Sequence, residues 1–155
     1  MEKAGFKKLF SGSLGFYFIG VDLIGFFDSF YLTVKHYFNS PLNCSILAGC
    51  DKVAASAYAK IYGIPIPLLG VIFYLAFFVL FFAFSISPAE GGFKKKRMAG
   101  FMVFAAFLGV VFSAWLLFLQ IFVIKALCLY CLVSDAAAAA IFALSLILLF
   151  RHKEK

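Results

Sequence analysis

Four long apolar runs, separated by short polar or charged stretches, dominate the chain. They cover about 11–33, 67–87, 98–124 and 128–150. Each is long enough to cross a bilayer as a helix, which takes about 20 apolar residues. The widest polar interval lies between the first two. Within it, Asp51 to Tyr62 sets Val53, Ala54, Ala57, Tyr58 and Ile61 on one helical face and Lys52, Ser56 and Lys60 elsewhere. That stretch is too short to span, so the pattern predicts a short helix lying at the membrane interface and capping the bundle. Asp51 suits its first turn and Gly63 its C-terminal end. Gly63-Ile64-Pro65-Ile66-Pro67 stops it and starts the second span. Pro88 to Arg97 reads as a loop ending in Lys94-Lys95-Lys96-Arg97, and Lys125-Ala126-Leu127 as a very short turn. The pattern predicts an all-α membrane protein: one four-helix bundle over 1–155 with a short interfacial helix in the first outer loop.

Composition agrees. The 155 residues are 65% hydrophobic and 14% charged, with 23 Phe, where a soluble domain averages about 25% charged residues. Lys3, Lys7 and Lys8 resemble the n-region of a signal peptide. The run behind them is too long for a cleavable segment and lacks a clear small-residue cleavage site, so it reads as a permanent span. The net charge of +7 does not point to nucleic acid, because the basic residues flank the apolar runs, where they face headgroups and set orientation. Ten of the 14 Lys and Arg fall at the N-terminus, between spans two and three, or in the tail. The other loops hold only Lys35, Lys52, Lys60 and Lys125. This bias places both termini and the middle loop in the cytoplasm of a multi-pass plasma-membrane protein.

All four cysteines then lie on the outer side, which in a bacterium is oxidising. Cys128-Leu129-Tyr130-Cys131 is a CxxC at the start of the fourth span. Unpaired N–H groups and the helix dipole favour a thiolate there, Cys128 gaining most. A thiolate is the species that attacks disulfides. Cys44 and Cys50 sit in the outer loop with five residues between them, Gly49 included. This spacing suits a loop disulfide that opens and closes, and it is not the Cys-x2-4-Cys of zinc fingers. Two thiol pairs, one mobile and one at the membrane surface, describe a relay that ends where a lipid-soluble acceptor such as a quinone is available.

Polar residues inside the spans are few. Asp22 and Asp28 interrupt the first and should face the bundle or water. Asp22 reads as a protonated or bonded carboxyl; Asp28, nearer the cysteines, also offers a proton-handling role. Gln120 lies at the cysteine end of the third span, as an interhelical hydrogen bond or as a contact to a bound head group.

Cys44-x5-Cys50-x2-Val53-x2-Ser56-x-Tyr58-x4-Gly63-Ile64-Pro65-x4-Gly70, followed by Cys128-x2-Cys131, resembles the vitamin K epoxide reductase family, in its bacterial or archaeal members. The resemblance implies a four-helix bundle around a quinone (ubiquinone or menaquinone). The implied activity is re-oxidation of a thioredoxin-like, DsbA-like periplasmic partner, with quinone reduced to quinol. It implies that Cys44 and Cys50 exchange with the partner, that Cys128 accepts from them, and that Cys131 lies beside the quinone. Ser56 matches a loop serine that lines the quinone site. Many bacterial members carry a fused thioredoxin-like domain, so here the partner is expected to be a separate protein. Asp135 stands where animal enzymes have a tyrosine. That favours a plain quinone over vitamin K epoxide, with Asp135 bonding the head group, passing protons, or making an interhelical polar contact. A DsbA-type partner sits at about −120 mV, and a respiratory quinone is oxidising enough to re-oxidise it.

Two other classes compete. A non-catalytic membrane protein with structural disulfides or a four-thiolate metal site predicts cysteines that resist mild reductant, or bound metal. A small transporter or channel subunit, drawn only from Asp22, Asp28 and Asp135, predicts that function survives loss of the cysteines.

Overall fold

The computed structural model describes residues 13–42, 49–86 and 92–153. Helix α1 covers Ser13–Tyr37 and a short α2 covers Cys50–Ala54. A 3-10 turn follows at Ala57–Ala59, then strands β1 (Lys60–Ile61) and β2 (Ile64–Pro65). Helix α3 is Ile66–Ile86, and α4 is Gly92–Phe118, continued by a π-helical segment over Leu119–Ile124. The last helix, α5, is Leu129–Lys153. Four of these helical stretches are long and apolar enough to cross a membrane: Leu14–Tyr37, Ile66–Ile86, Phe93–Ile124 and Leu129–Phe150.

Helix α1 packs on α3 and α5, and α4 packs on α5. Large aromatic side chains fill the centre. Phe18 stacks on Phe81 with ring centroids 4.3 Å apart, and Tyr74, Phe77 and Phe84 are buried with them. Small residues opposite let the helices approach: Ala99, Ala106, Ala137 and Ala138 are all buried. Without a hydrophobic drive between helices in lipid, such close packing carries the association. Phe16, Phe27, Phe104 and Phe122 point outward, which a bilayer accommodates.

Two expectations need correction. The helix expected over Asp51 to Tyr62 ends at Ala54. Ser56 takes an extended conformation (ψ 154°), and its hydroxyl donates to the Val53 carbonyl at 2.7 Å. This local bond competes with helical continuation. Beyond it the chain forms a hairpin with Lys60 opposite Pro65 and Ile61 opposite Ile64. Tyr62 (φ 51°) and Gly63 (φ 82°) make its two-residue turn, so Gly63 serves a hairpin rather than a helix end. Paired positive φ angles are what a primed hairpin turn requires. The second correction is at Lys94-Lys95-Lys96-Arg97, expected in a loop but set within the first turns of α4. The Lys95 ammonium sits 5.5 Å from the centre of the Phe84 ring, so the run keeps its charge at the membrane edge while remaining helical.

Candidate functional site

Cys128 is the residue on which α5 starts. Its carbonyl accepts the Leu132 N–H at 3.1 Å, the first turn of the helix. Its sulfur accepts the Cys131 N–H at 3.3 Å. A side chain accepting from the third helical N–H is the geometry of an N-cap, with sulfur in place of oxygen. The Cys131 thiol hydrogen-bonds the same sulfur and is the main cause holding the Cys128 thiol below its ordinary pKa, against the opposing effect of burial. Cys128 and Cys131 are free thiols, while Cys50 is disulfide-bonded.

The approach to Cys128 is shaped by the π-helical segment. It ends at Lys125 in the left-handed conformation (φ 53°, ψ 39°). Gln120, buried at 3% exposure, holds the following turn at two points. Its backbone carbonyl accepts the Ala126 N–H at 3.0 Å, and its side-chain Oε1 accepts the Cys128 N–H at 3.0 Å. Of the two roles open to Gln120, the structure gives its oxygen to the backbone of the CxxC.

Cys50, at 1% exposure, and Cys128, also at 1%, belong to one buried cluster with Leu32 and Leu42, against which Val53, Tyr130 and Cys131 pack. Asp51 ties the chain on either side of the Cys44 interval together: its Oδ1 accepts the Leu42 N–H at 2.9 Å. Cys44 itself lies outside the described residues.

Beneath this cluster opens a cavity of about 460 Å³. Its walls are mainly apolar, including Phe73, Leu108, Phe112, Leu116 and Ala138, and its polar lining includes Cys50, Cys128, Cys131, Gln120, Ser56 and Asp135. Ser56 reaches the lining although its hydroxyl is engaged with Val53. Asp135 Oδ2 is buried with no hydrogen-bond partner. An apolar cavity with an orphaned polar oxygen in its lining fits a quinone, whose ring is apolar and whose carbonyl oxygens accept hydrogen bonds and, once reduced to quinol, donate them. Ligand sites of this kind commonly span about 300–1,000 Å³. Asp28 Oδ2 is likewise buried and unpartnered. Asp22, at 1% exposure, has Oδ1 unpartnered and stands two helical turns further from the cysteines. Among the described residues no group of three or more His, Cys, Asp or Glu is placed to hold a metal ion.

Three further residues support the site. Tyr74 donates to the Ser134 carbonyl at 2.7 Å and lies 3.1 Å from its hydroxyl. Ser29 meets the same hydroxyl at 3.3 Å. The three join α1, α3 and α5 one turn below Cys131. Nothing in hydrophobic periodicity marks them, although a tyrosine and two serines in apolar runs are the signal that polar contacts cross the bundle.

A four-helix membrane bundle with a reduced CxxC at the head of its last helix, a disulfide-bonded cysteine packed beside it and a cavity below both has the make-up of a thiol–disulfide oxidoreductase. Residues 16–146 match the vitamin K epoxide reductase family, and the chain belongs to that family. Its members are oxidoreductases that in general use quinone. No curated protein matches the chain.

Proposed function

We propose that this protein oxidises the dithiol of a separate thioredoxin-like, DsbA-like partner and passes the electrons to ubiquinone or menaquinone. The observation that carries this reading is the burial of Cys50 and Cys128 in one cluster at the mouth of a cavity that both cysteines and Cys131 line. Cys44 is the loop cysteine that meets the partner. Cys50 is the one that meets Cys128, because it shares that buried cluster. The segment from Cys50 to Pro65 lies at the outer membrane surface as a cap, with both termini in the cytoplasm, as the lysine and arginine bias supports.

The partner's thiolate attacks the loop disulfide at Cys44, and its second thiolate resolves the mixed disulfide, leaving Cys44 and Cys50 reduced. The Cys50 thiolate then attacks Cys128 in a Cys128–Cys131 disulfide, and Cys131 leaves as a thiolate. Cys44 closes back on Cys50 and releases Cys128 as a thiolate, which the N-cap geometry and the Cys131 hydrogen bonds stabilise. Re-forming the Cys128–Cys131 disulfide releases two electrons and two protons, which a quinone held in the cavity would take up as quinol. Asp135, whose buried Oδ2 has no hydrogen-bond partner, is the head-group contact; Ser56 lines the same cavity, and Gln120 holds the CxxC in register.

The test is quinone reduction by purified protein in detergent, driven by a reduced thioredoxin-like protein. Quinol is expected from wild type and not from Cys131→Ala. Unchanged quinone with folded wild type would reject the assignment, and metal analysis would then address the thiolate-site alternative.

A further inference from the structure

Gly49 has φ −96°, a conformation open to any residue, so no backbone demand explains a glycine there. Space does. A Cβ on Gly49 would stand 2.6 Å from the Leu127 carbonyl oxygen, 2.8 Å from the Leu127 nitrogen and 3.0 Å from Ala126 Cβ. The first two obstacles are main chain and cannot rotate away. The surface that Gly49 meets is itself fixed: Gln120 holds Ala126 through its carbonyl and Cys128 through its side chain, with Lys125 turned into the left-handed region between them. Gly49 immediately precedes Cys50, and Leu127 immediately precedes Cys128.

We propose that Gly49 and the 126–127 turn form a dock that sets the reach of the loop cysteine pair to the CxxC, making Gly49 a positioning residue for the exchange between pairs. The inference rests on the relay proposed above. In the step concerned, the Cys50 thiolate attacks Cys128 Sγ, the Cys50–Cys128 bond forms, the Cys128–Cys131 bond breaks, and the electron pair leaves on Cys131. In-line attack tolerates little misplacement: about 1 Å costs about 100-fold in rate. A methyl group on Gly49 lifts the loop off its dock by a comparable distance.

The experiment isolates this step. In full-length protein carrying Cys44→Ser and Cys131→Ser, only Cys50 and Cys128 remain, and mild oxidation with diamide should join them. The rate is read on non-reducing gels. Gly49→Ala is expected to slow it about 10- to 100-fold. Gly20→Ala, where a Cβ meets nothing within 4 Å, should leave it unchanged. Ala126→Leu crowds the dock from the opposite side and should slow it likewise, so the test does not depend on one variant folding. With all four cysteines restored, Gly49→Ala should still let a short-chain quinone oxidise its CxxC at the wild-type rate. Cross-linking at the wild-type rate in both dock variants would overturn the proposal. Absence of the cross-link with Gly49 intact would overturn the relay, and the positioning role with it.

Discussion

Cys128 caps a helix with the same sulfur that, in the proposed relay, carries the chemistry. Capping fixes the sulfur over the first turn of α5, and the Cys131 hydrogen bonds favour its ionised form. Its thiolate therefore persists as pH falls below the ordinary thiol value of about 8.5. The stabilisation it contributes to the fold is present above that unfolded value and is lost as pH falls through the lowered folded value. Replacing Cys131 by Ala removes the leading cause of the shift. In a background without Cys44 and Cys50, the midpoint of thiolate ultraviolet absorbance should move to higher pH in Cys131→Ala than in the parent; an unmoved midpoint would exclude the hydrogen bond as its cause. The position of this thiolate was legible in the sequence, since a CxxC opening an apolar helix meets unpaired N–H groups. Gln120 was legible only as a polar residue near the right end. Its partner is a backbone N–H eight residues on, and no side-chain pattern announces such a bond.

Among the elements, the four long helices follow directly from the apolar runs, because in lipid a spanning segment must satisfy its own backbone. The irregular pieces do not. The π-helical turn at Leu119–Ile124 differs from an α-helix by one residue in hydrogen-bond register, which six residues, five of them apolar, cannot encode in their periodicity. Periodicity over-extends the loop helix, because Val53, Ala57 and Ile61 share a helical period while Ser56 bonding back to Val53 ends the helix first. Likewise, reading Pro88 to Arg97 as one loop overlooks that lysine and arginine are good helix formers, and the Lys94 to Arg97 run is helical. The polar junction of α1, α3 and α5 at Tyr74, Ser29 and Ser134 gives a test at this scale. Tyr74→Phe keeps the ring in the core and removes both hydroxyl contacts. It should lower stability by about 1 kcal/mol, measured by thermal unfolding in detergent, and unchanged stability would show that the junction only fills space.

At the scale of the molecule, function comes from bringing a loop, a helix start and a cavity to one end of a bundle. The sequence placed both cysteine pairs at that end by counting spans, and the family match over residues 16–146 encloses all four cysteines. The depth of the cavity, the orphaned oxygen of Asp135 and the Asp51 tether to Leu42 arise from packing between segments distant in the chain, which single-sequence patterns do not carry. The proposed relay stands on delivery of electrons from the CxxC to quinone. It is tested most directly by mixing fully reduced protein, without partner and without oxygen, with a short-chain quinone, then mapping disulfides by mass spectrometry. A Cys128–Cys131 disulfide should form in step with quinol, and both should be lost in Cys131→Ala. Cysteines that stay reduced beside unreacted quinone in folded protein would contradict it.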